Sequence, residues 1–293
     1  MQWQQVTLVG VGLLGGSLGL ALRRRGLARR VVGYVRRPAL VADCLAAGAV
    51  DHATTDLAAA VTGSDLVILC VPLGQMPVLA RAFAPALARN AVVTDVGSVK
   101  ASVIADLESL IADAGGRFVG SHPMAGSEKT GVTASRAELF ESAVCAITPT
   151  PRSDPAAVEH VTALWRALGA RVLSLDPELH DELVARCSHL PHVLAAQLAN
   201  NVLDPIRPPA QAELCAGGFR DTTRIAASSP EMWRDIVLAN RGNLSRVLGE
   251  FADELQAFRR AVDGGDTAAI DQFFHQARQR REAWSHRVIP PAA

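Results

Sequence analysis

An α/β domain followed by an all-helical domain is the architecture this sequence predicts, on three observations. Short β-branched runs alternate with helical patterns through the first 176 residues, the first run leads through a glycine-rich turn into a helix, and strand patterning ends near Pro177. Alternation of this kind is the mark of a parallel sheet covered by helices, because each parallel crossover needs a helix to return the chain. At 293 residues the chain also exceeds what one hydrophobic core usually serves. The expected domains are residues 1–176 and 177–293.

Taken in order, the strands expected in the first domain are Val6–Val9, Val31–Tyr34, Leu66–Cys70, Val92–Asp95, Phe118–Ser121, Ala143–Thr148 and Arg171–Ser174. Helices are expected between them at Leu14–Arg25, Met76–Ala88, Lys100–Ala114 and Pro155–Leu168, the last with Asp154 as its cap and Pro155 in its first turn. Most of the loops follow strands at their carboxyl ends, where open α/β sheets bind ligands. In the second domain, Leu179–Leu203 is apolar at helical spacing but contains Pro191, so the helix should change course near Ser188–His192. Ser229-Pro230-Glu231 is a helix start, followed by few breakers until about Val262. Helices of this length need a second surface to cover their apolar faces, and a homodimer through the helical domain is expected. The tail Pro290-Pro291-Ala292-Ala293 reads as disordered.

Composition excludes several classes of function. Lys plus Arg and Asp plus Glu each total 29, and the densest basic run is Arg23-Arg24-Arg25, which argues against nucleic acid as a partner. No apolar run is long enough to span a bilayer, and the N-terminus has no signal-peptide pattern, so a cytoplasmic protein is expected. Five cysteines without CxxC spacing fit buried thiols better than a disulfide framework or a metal site, and no metal is expected.

Gly10-Val11-Gly12-Leu13-Leu14-Gly15 follows an apolar strand and opens a helix, the setting in which a GxGxxG reads as a dinucleotide-binding turn and the first domain as Rossmann-like. Gly10 permits the tight turn, Gly12 lets the backbone approach a pyrophosphate, and Gly15 lets helix and strand pack closely. The amides of Leu13 and Leu14 would face the phosphates at the helix N-terminus. About 20 residues on, an NAD-selective site would carry an Asp or Glu, whereas this chain has Tyr34-Val35-Arg36-Arg37. Two guanidiniums stand where a 2′-phosphate would lie, so NADP is favoured over NAD unless both are ordinary surface charges. Val71, Pro72 and Leu73 follow the next long strand and should pass under the nicotinamide ribose, and Asp95-Val96-Gly97-Ser98 ends another.

His122 follows a strand within a Gly/Pro-rich segment. A loop histidine is often incidental, but hydride removal from a carbinol carbon needs a base near neutral pH, and imidazole suits that task. Gly97-Ser98-Val99-Lys100, His122-Pro123-Met124-Ala125-Gly126-Ser127-Glu128-Lys129, Ser188-His189-Leu190-Pro191-His192, and Gly217-Gly218-Phe219-Arg220-Asp221-Thr222-Thr223-Arg224 with Met232-Trp233-Arg234-Asp235 occur in that order. In these blocks the chain resembles the prephenate/arogenate dehydrogenase family of tyrosine biosynthesis.

The resemblance implies oxidative decarboxylation of a cyclohexadienol, giving 4-hydroxyphenylpyruvate or tyrosine. It implies His122 as the base on the 4-hydroxyl, with Ser98 hydrogen-bonded to both that hydroxyl and His122. It implies Arg224 on the ring carboxylate, His192 in the same pocket, Glu128 as a gating acid that pairs with the arginine, and Ser127, Gly217 and Gly218 near the substrate. Arg224 could instead be a surface arginine, and His189 with His192 could be a metal pair, though His189 reads better as a structural hydrogen-bonder. Trp233, Arg234 and Asp235 read as packing and ion-pair residues. His52, His160, His180, His275 and His286 have no supporting context and receive no role. Two other readings stay open: a different two-domain nicotinamide enzyme of the β-hydroxyacid dehydrogenase or imine reductase type, and a non-catalytic NADPH-binding sensor.

Overall fold

The computed structural model describes residues 2–127 and 129–288, with side chains through 285. Eight strands form one sheet: β1 (Trp3–Val9), β2 (Ala28–Tyr34), β3 (His52–Thr54), β4 (Leu66–Leu69), β5 (Val92–Asp95), β6 (Arg117–Pro123), β7 (Val144–Thr148) and β8 (Arg171–Ser174), in the spatial order β3-β2-β1-β4-β5-β6-β7-β8. All neighbours are parallel except β6 and β7. The central strands alternate their side chains between two fully covered faces. Leu8, Leu66 and Ile68 join one core cluster, while Val9, Val67 and Leu69 join the other.

Helices cover both faces. α1 (Leu13–Arg24), α2 (Ala39–Ala46) and, later in the chain, the helix Pro155–Ala167 supply Leu18, Leu22, Cys44, Val161 and Trp165 to the first core. α3 (Leu57–Val61), α4 (Met76–Phe83) and α5 (Ala101–Asp113) supply Val61, Phe83, Leu107 and Ile111 to the second. The helix Pro155–Ala167, α6, starts as its sequence implies: Asp154 accepts from Ala157 N at 2.9 Å and Pro155 occupies the first turn. α2, α3 and the three-residue β3 are additions to the sequence expectation. β3 is too short to show an alternation of its own and exists through its pairing with Val32–Tyr34.

Two features correct the expectation. The sheet is not wholly parallel, because β7 runs antiparallel to β6. That pairing carries β6 on to Pro123, so His122 lies opposite Ala146 inside a strand rather than in the loop that its Gly and Pro neighbours suggested.

From Pro177 onward the described chain is helical. α7 (Pro177–Val184) passes through a π-helical segment, Ala185–His189, into α8 (Leu190–Val202), so the change of course expected near Pro191 takes the form of a widened turn. α9 (Pro209–Glu213), α10 (Gly217–Thr223) and α11 (Pro230–Ala239) follow, the last capped by Ser229, whose hydroxyl accepts from Met232 N at 3.3 Å. α12 (Arg241–Asp263) and α13 (Thr267–Val288) complete the described chain. Its compact units divide after Arg241, and in the second unit Phe258 packs on Phe273 with ring centroids 4.3 Å apart. No helix of the described residues is long and apolar enough to cross a membrane. The expected tail, residues 290–293, lies outside the described residues.

Candidate active site

The register of the sheet gathers the expected dinucleotide residues at its carboxyl edge. Val9 lies beside Tyr34 on one side and Leu69 on the other, so the segments beginning at Gly10, Val35 and Cys70 leave the sheet together. Gly10 has φ +99°, and a Cβ there would lie 2.7 Å from both the Cys70 carbonyl oxygen and Val71 Cγ1. A Cβ on Gly15 would collide with the Gly10 carbonyl. Gly12 is different: nothing in the protein lies within 4 Å of where its Cβ would be. Packing does not demand a glycine there, whereas a bound pyrophosphate would. Gly12 is the N-cap residue of α1 and offers no side-chain cap, leaving amides at the helix N-terminus for an anion. Arg36 and Arg37 are exposed just beyond β2, and neither forms an ion pair among the described residues. Val71 lies against Gly10, with Pro72 and Leu73 following it in the chain, and these residues together fit a dinucleotide.

His122 lies in the adjacent part of the sheet, 6% exposed. Its Nδ1 is 2.9 Å from Nε2 of His180, and Nδ1 of His180 is 2.8 Å from Oδ1 of Asp181. Both partners come from α7 and are buried. Asp181 also accepts from the backbone N–H groups of Lys100 (2.7 Å) and Ala101 (2.9 Å), capping α5 from outside that helix. The Ser98–His122 bond implied by the resemblance is absent among the described residues: His122 Nδ1 is bonded to His180, and the half-buried Ser98 hydroxyl has no hydrogen-bond partner there, which leaves both it and His122 Nε2 open. Burial pushes His122 well below the ordinary imidazole value, and the neighbouring His180, Lys100 and His189 push it further.

Beneath His122 lies a fully buried ion pair between Lys100 and Asp95. Asp95 accepts from Ser121 N at 3.1 Å and from Gly97 N at 2.8 Å, while Lys100 Nζ donates to Ser121 O at 2.8 Å. The pair therefore ties the loop carrying Ser98 to the residue preceding His122. The same loop meets the cofactor edge, where a Cβ on Gly97 would lie 2.7 Å from Leu73 Cδ2.

The helical residues continue inward from Asp181. Asn240 Nδ2 donates to Asp181 O at 2.8 Å and lies 3.2 Å from His189 Nδ1. His189 packs edge-on against Trp233, and Trp233 stacks on His192 with centroids 4.0 Å apart at 29°. His192 Nδ1 donates to Ser188 O at 2.9 Å. Burial lowers His189 to about 4 and also lowers His192, on which the nearby Arg224 guanidinium acts in the same direction. His189 Nε2 and Trp233 Nε1 are buried without a hydrogen-bond partner, so this cluster of rings carries unsatisfied polar atoms.

Arg224 is exposed at the start of a 3₁₀ turn, and α10, which opens with the exposed Gly217 and Gly218, packs against α8. Ser127 is exposed beyond β6 and accepts from Lys129 N at 3.2 Å. Glu128 lies outside the described residues. Trp233 does more than pack, since it forms the wall on which His192 stacks, whereas Arg234 and Asp235 do pair, at 3.1 Å. Sequence reasoning gave no role to His180, Asp181, Asn240, Asp95 or Lys100, although Asp95 and Lys100 lie in segments that it singled out. The His180-Asp181 step and its Asp176-Pro177 helix start are the only local signals, and neither points to a partner 58 residues away.

The chain matches the prephenate dehydrogenase nucleotide-binding domain over residues 18–174 and the prephenate dehydrogenase dimerization domain over residues 176–276. It is 35% identical over 284 residues to the cyclohexadienyl dehydrogenase of Zymomonas mobilis, covering 96% of each chain. Among solved structures it is similar to prephenate dehydrogenase from A. aeolicus in complex with hydroxyphenyl propionate and NAD+, at TM-score 0.90 and 32% identity over 97% of this chain and 99% of that one. It is also similar to Synechocystis arogenate dehydrogenase, at TM-score 0.78 and 26% identity over 96% and 100% of the two chains.

Proposed function

The chain belongs to the prephenate dehydrogenase family, and from that premise we propose how its own residues carry out the oxidative decarboxylation of prephenate, arogenate or both in tyrosine biosynthesis. It is an NAD(P)-dependent dehydrogenase. The nicotinamide, when bound, accepts the hydride from the ring carbon that carries the hydroxyl. Residues 1–176 hold the dinucleotide in this reading, and residues 177–293 supply substrate contacts and the dimer interface.

The observation that carries the assignment is His122: a buried imidazole beside the cofactor edge, held by a hydrogen bond through Nδ1. As the carbinol carbon gives up hydride, His122 takes the hydroxyl proton. The ring carboxylate then leaves as carbon dioxide, its bonding electrons make the ring aromatic, and the proton returns to the ring oxygen. Ser98, on the loop that the buried ion pair ties to β6, donates to the same oxygen. Arg224 and His192 hold the ring carboxylate by charge-assisted and neutral hydrogen bonds, Ser127, Gly217 and Gly218 contribute to substrate binding, and Glu128 keeps the gating role that the family resemblance implies. Initial rates with prephenate and arogenate, each with NAD+ and NADP+, test this reading. Absence of turnover for both substrates with both cofactors rejects it.

The cofactor preference follows from Arg36 and Arg37. The A. aeolicus relative was crystallised with NAD+, but here two exposed guanidiniums stand beyond β2 where an acidic group would select NAD. NADP is expected to be preferred. Replacing both arginines by alanine should weaken NADP by about tenfold or more, as loss of a charge-assisted hydrogen bond does, while leaving NAD nearly unchanged. A wild-type preference for NAD of about tenfold overturns the assignment.

The chain is proposed to be a homodimer through its helical region. Leu255, Val262, Phe273, Phe274 and Trp284 of α12 and α13 are about half exposed in the single chain, which suits an interface. Light scattering should give twice the chain mass. A monomer at micromolar concentration rejects the interface.

A further inference from the structure

The geometry points to a second role for α7: His180, oriented by Asp181, sets the tautomer of His122 and so decides which of its nitrogens is free to act. This rests on the reading of His122 as the base. A carboxylate has only acceptor atoms, so the contact of 2.8 Å between Asp181 Oδ1 and His180 Nδ1 places the proton of a neutral His180 on Nδ1. His180 Nε2 is then an acceptor. The contact of 2.9 Å from that atom to His122 Nδ1 requires His122 to donate from Nδ1, which leaves the lone pair on Nε2. The two rings meet edge-to-face, at 74° with centroids 5.1 Å apart, so the bond also fixes the plane of His122.

Each member is held from outside the relay. Asp181 accepts from two backbone amides at the start of α5, and its own carbonyl accepts from Asn240. When Nε2 takes a proton, the imidazolium keeps its Nδ1–H bond to His180, and the Asp181 carboxylate lies behind it. No covalent step occurs on His180 or Asp181. Neither residue touches a reacting atom, and both are positioning residues. The arrangement also joins the strand that carries His122 to the first helix of the all-helical region.

Imidazole ¹⁵N–¹H correlation spectra of the full-length protein, with the His122 signals identified by their loss in His122→Asn, test the tautomer directly. The expected result is a hydrogen on Nδ1 and none on Nε2. His180→Phe, which keeps a ring but no acceptor, should lower kcat by about 10–100-fold, the usual cost of removing a partner that orients a functional histidine, with KM within about twofold. His180→Gln, whose side-chain oxygen can accept from Nδ1, should recover a few-fold of that loss. A wild-type spectrum with the hydrogen on Nε2 overturns the proposal, even if neither variant folds. So does an unchanged kcat in His180→Phe when His122→Asn is inactive. If His122→Asn itself retains full turnover, the base assignment fails, and the spectrum still decides the tautomer.

Discussion

Replacing His122 with asparagine should lower kcat by about 10²–10⁴-fold, the usual contribution of a general base, while KM for the cyclohexadienyl substrate stays nearly constant. Asparagine keeps a polar group of similar reach but cannot take a proton. Substrate affinity is assigned to Arg224, His192 and their neighbours, so it should survive. The pH dependence carries a second signature. Only neutral His122 accepts a proton, and burial first, then its neighbours His180, Lys100 and His189, hold its pKa well below the ordinary 6.5. Activity is therefore lost as pH falls through that lowered value and is retained above it, so the acid limb of kcat/KM due to His122 lies below pH 6.5. Steady-state rates across acid to neutral pH measure both features. Unaltered turnover in His122→Asn rejects the base assignment.

Replacing Asp95 with alanine should destabilise the fold by about 3–5 kcal/mol, the range observed when one member of a buried ion pair is removed. Lys100 and Asp95 are both fully buried. Without the carboxylate, the ammonium keeps only the Ser121 carbonyl and must stay charged in a dry site or give up its proton, and either course is costly. The converse change should be milder. In Lys100→Met the carboxylate still accepts from the backbone amides of Gly97 and Ser121, so its charge remains partly compensated. Urea unfolding midpoints for the two variants measure the asymmetry. Equal losses, or a greater loss in Lys100→Met, contradict this account. Asp95→Ala should also lower turnover in the protein that remains folded, because the pair ties the Ser98 loop to the end of β6.

Particular elements show how far the residues could be read without coordinates. The turn at Gly10, Gly12 and Gly15 was legible because its determinants are local: an apolar run, a glycine at positive φ and a helix start lie within a dozen residues. The helix at Pro155 was legible for the same reason, through Asp154 and its neighbouring proline. The placement of His122 in a loop was a misreading with a clear cause. Gly120 and Pro123 weaken any strand signal, and only the antiparallel partner β7 supplies the hydrogen bonds that extend β6 past His122.

His180 shows the same limit within the site. Its immediate neighbours describe an ordinary capped helix, and an imidazole on such a helix has no local mark of function. Its role follows from burial against a residue 58 positions earlier.

By itself, then, the sequence determined the α/β class, the dinucleotide turn, the helical second half and the family, because periodicity, glycine conformation and capping act over a few residues and family blocks need no coordinates. The tertiary structure alone decided the mixed sheet, the buried Lys100–Asp95 pair and the His122–His180–Asp181 contact. Each of these depends on side chains brought together from distant segments in a buried setting, where a hydrogen bond or a charge matters most because water is no longer there to replace it.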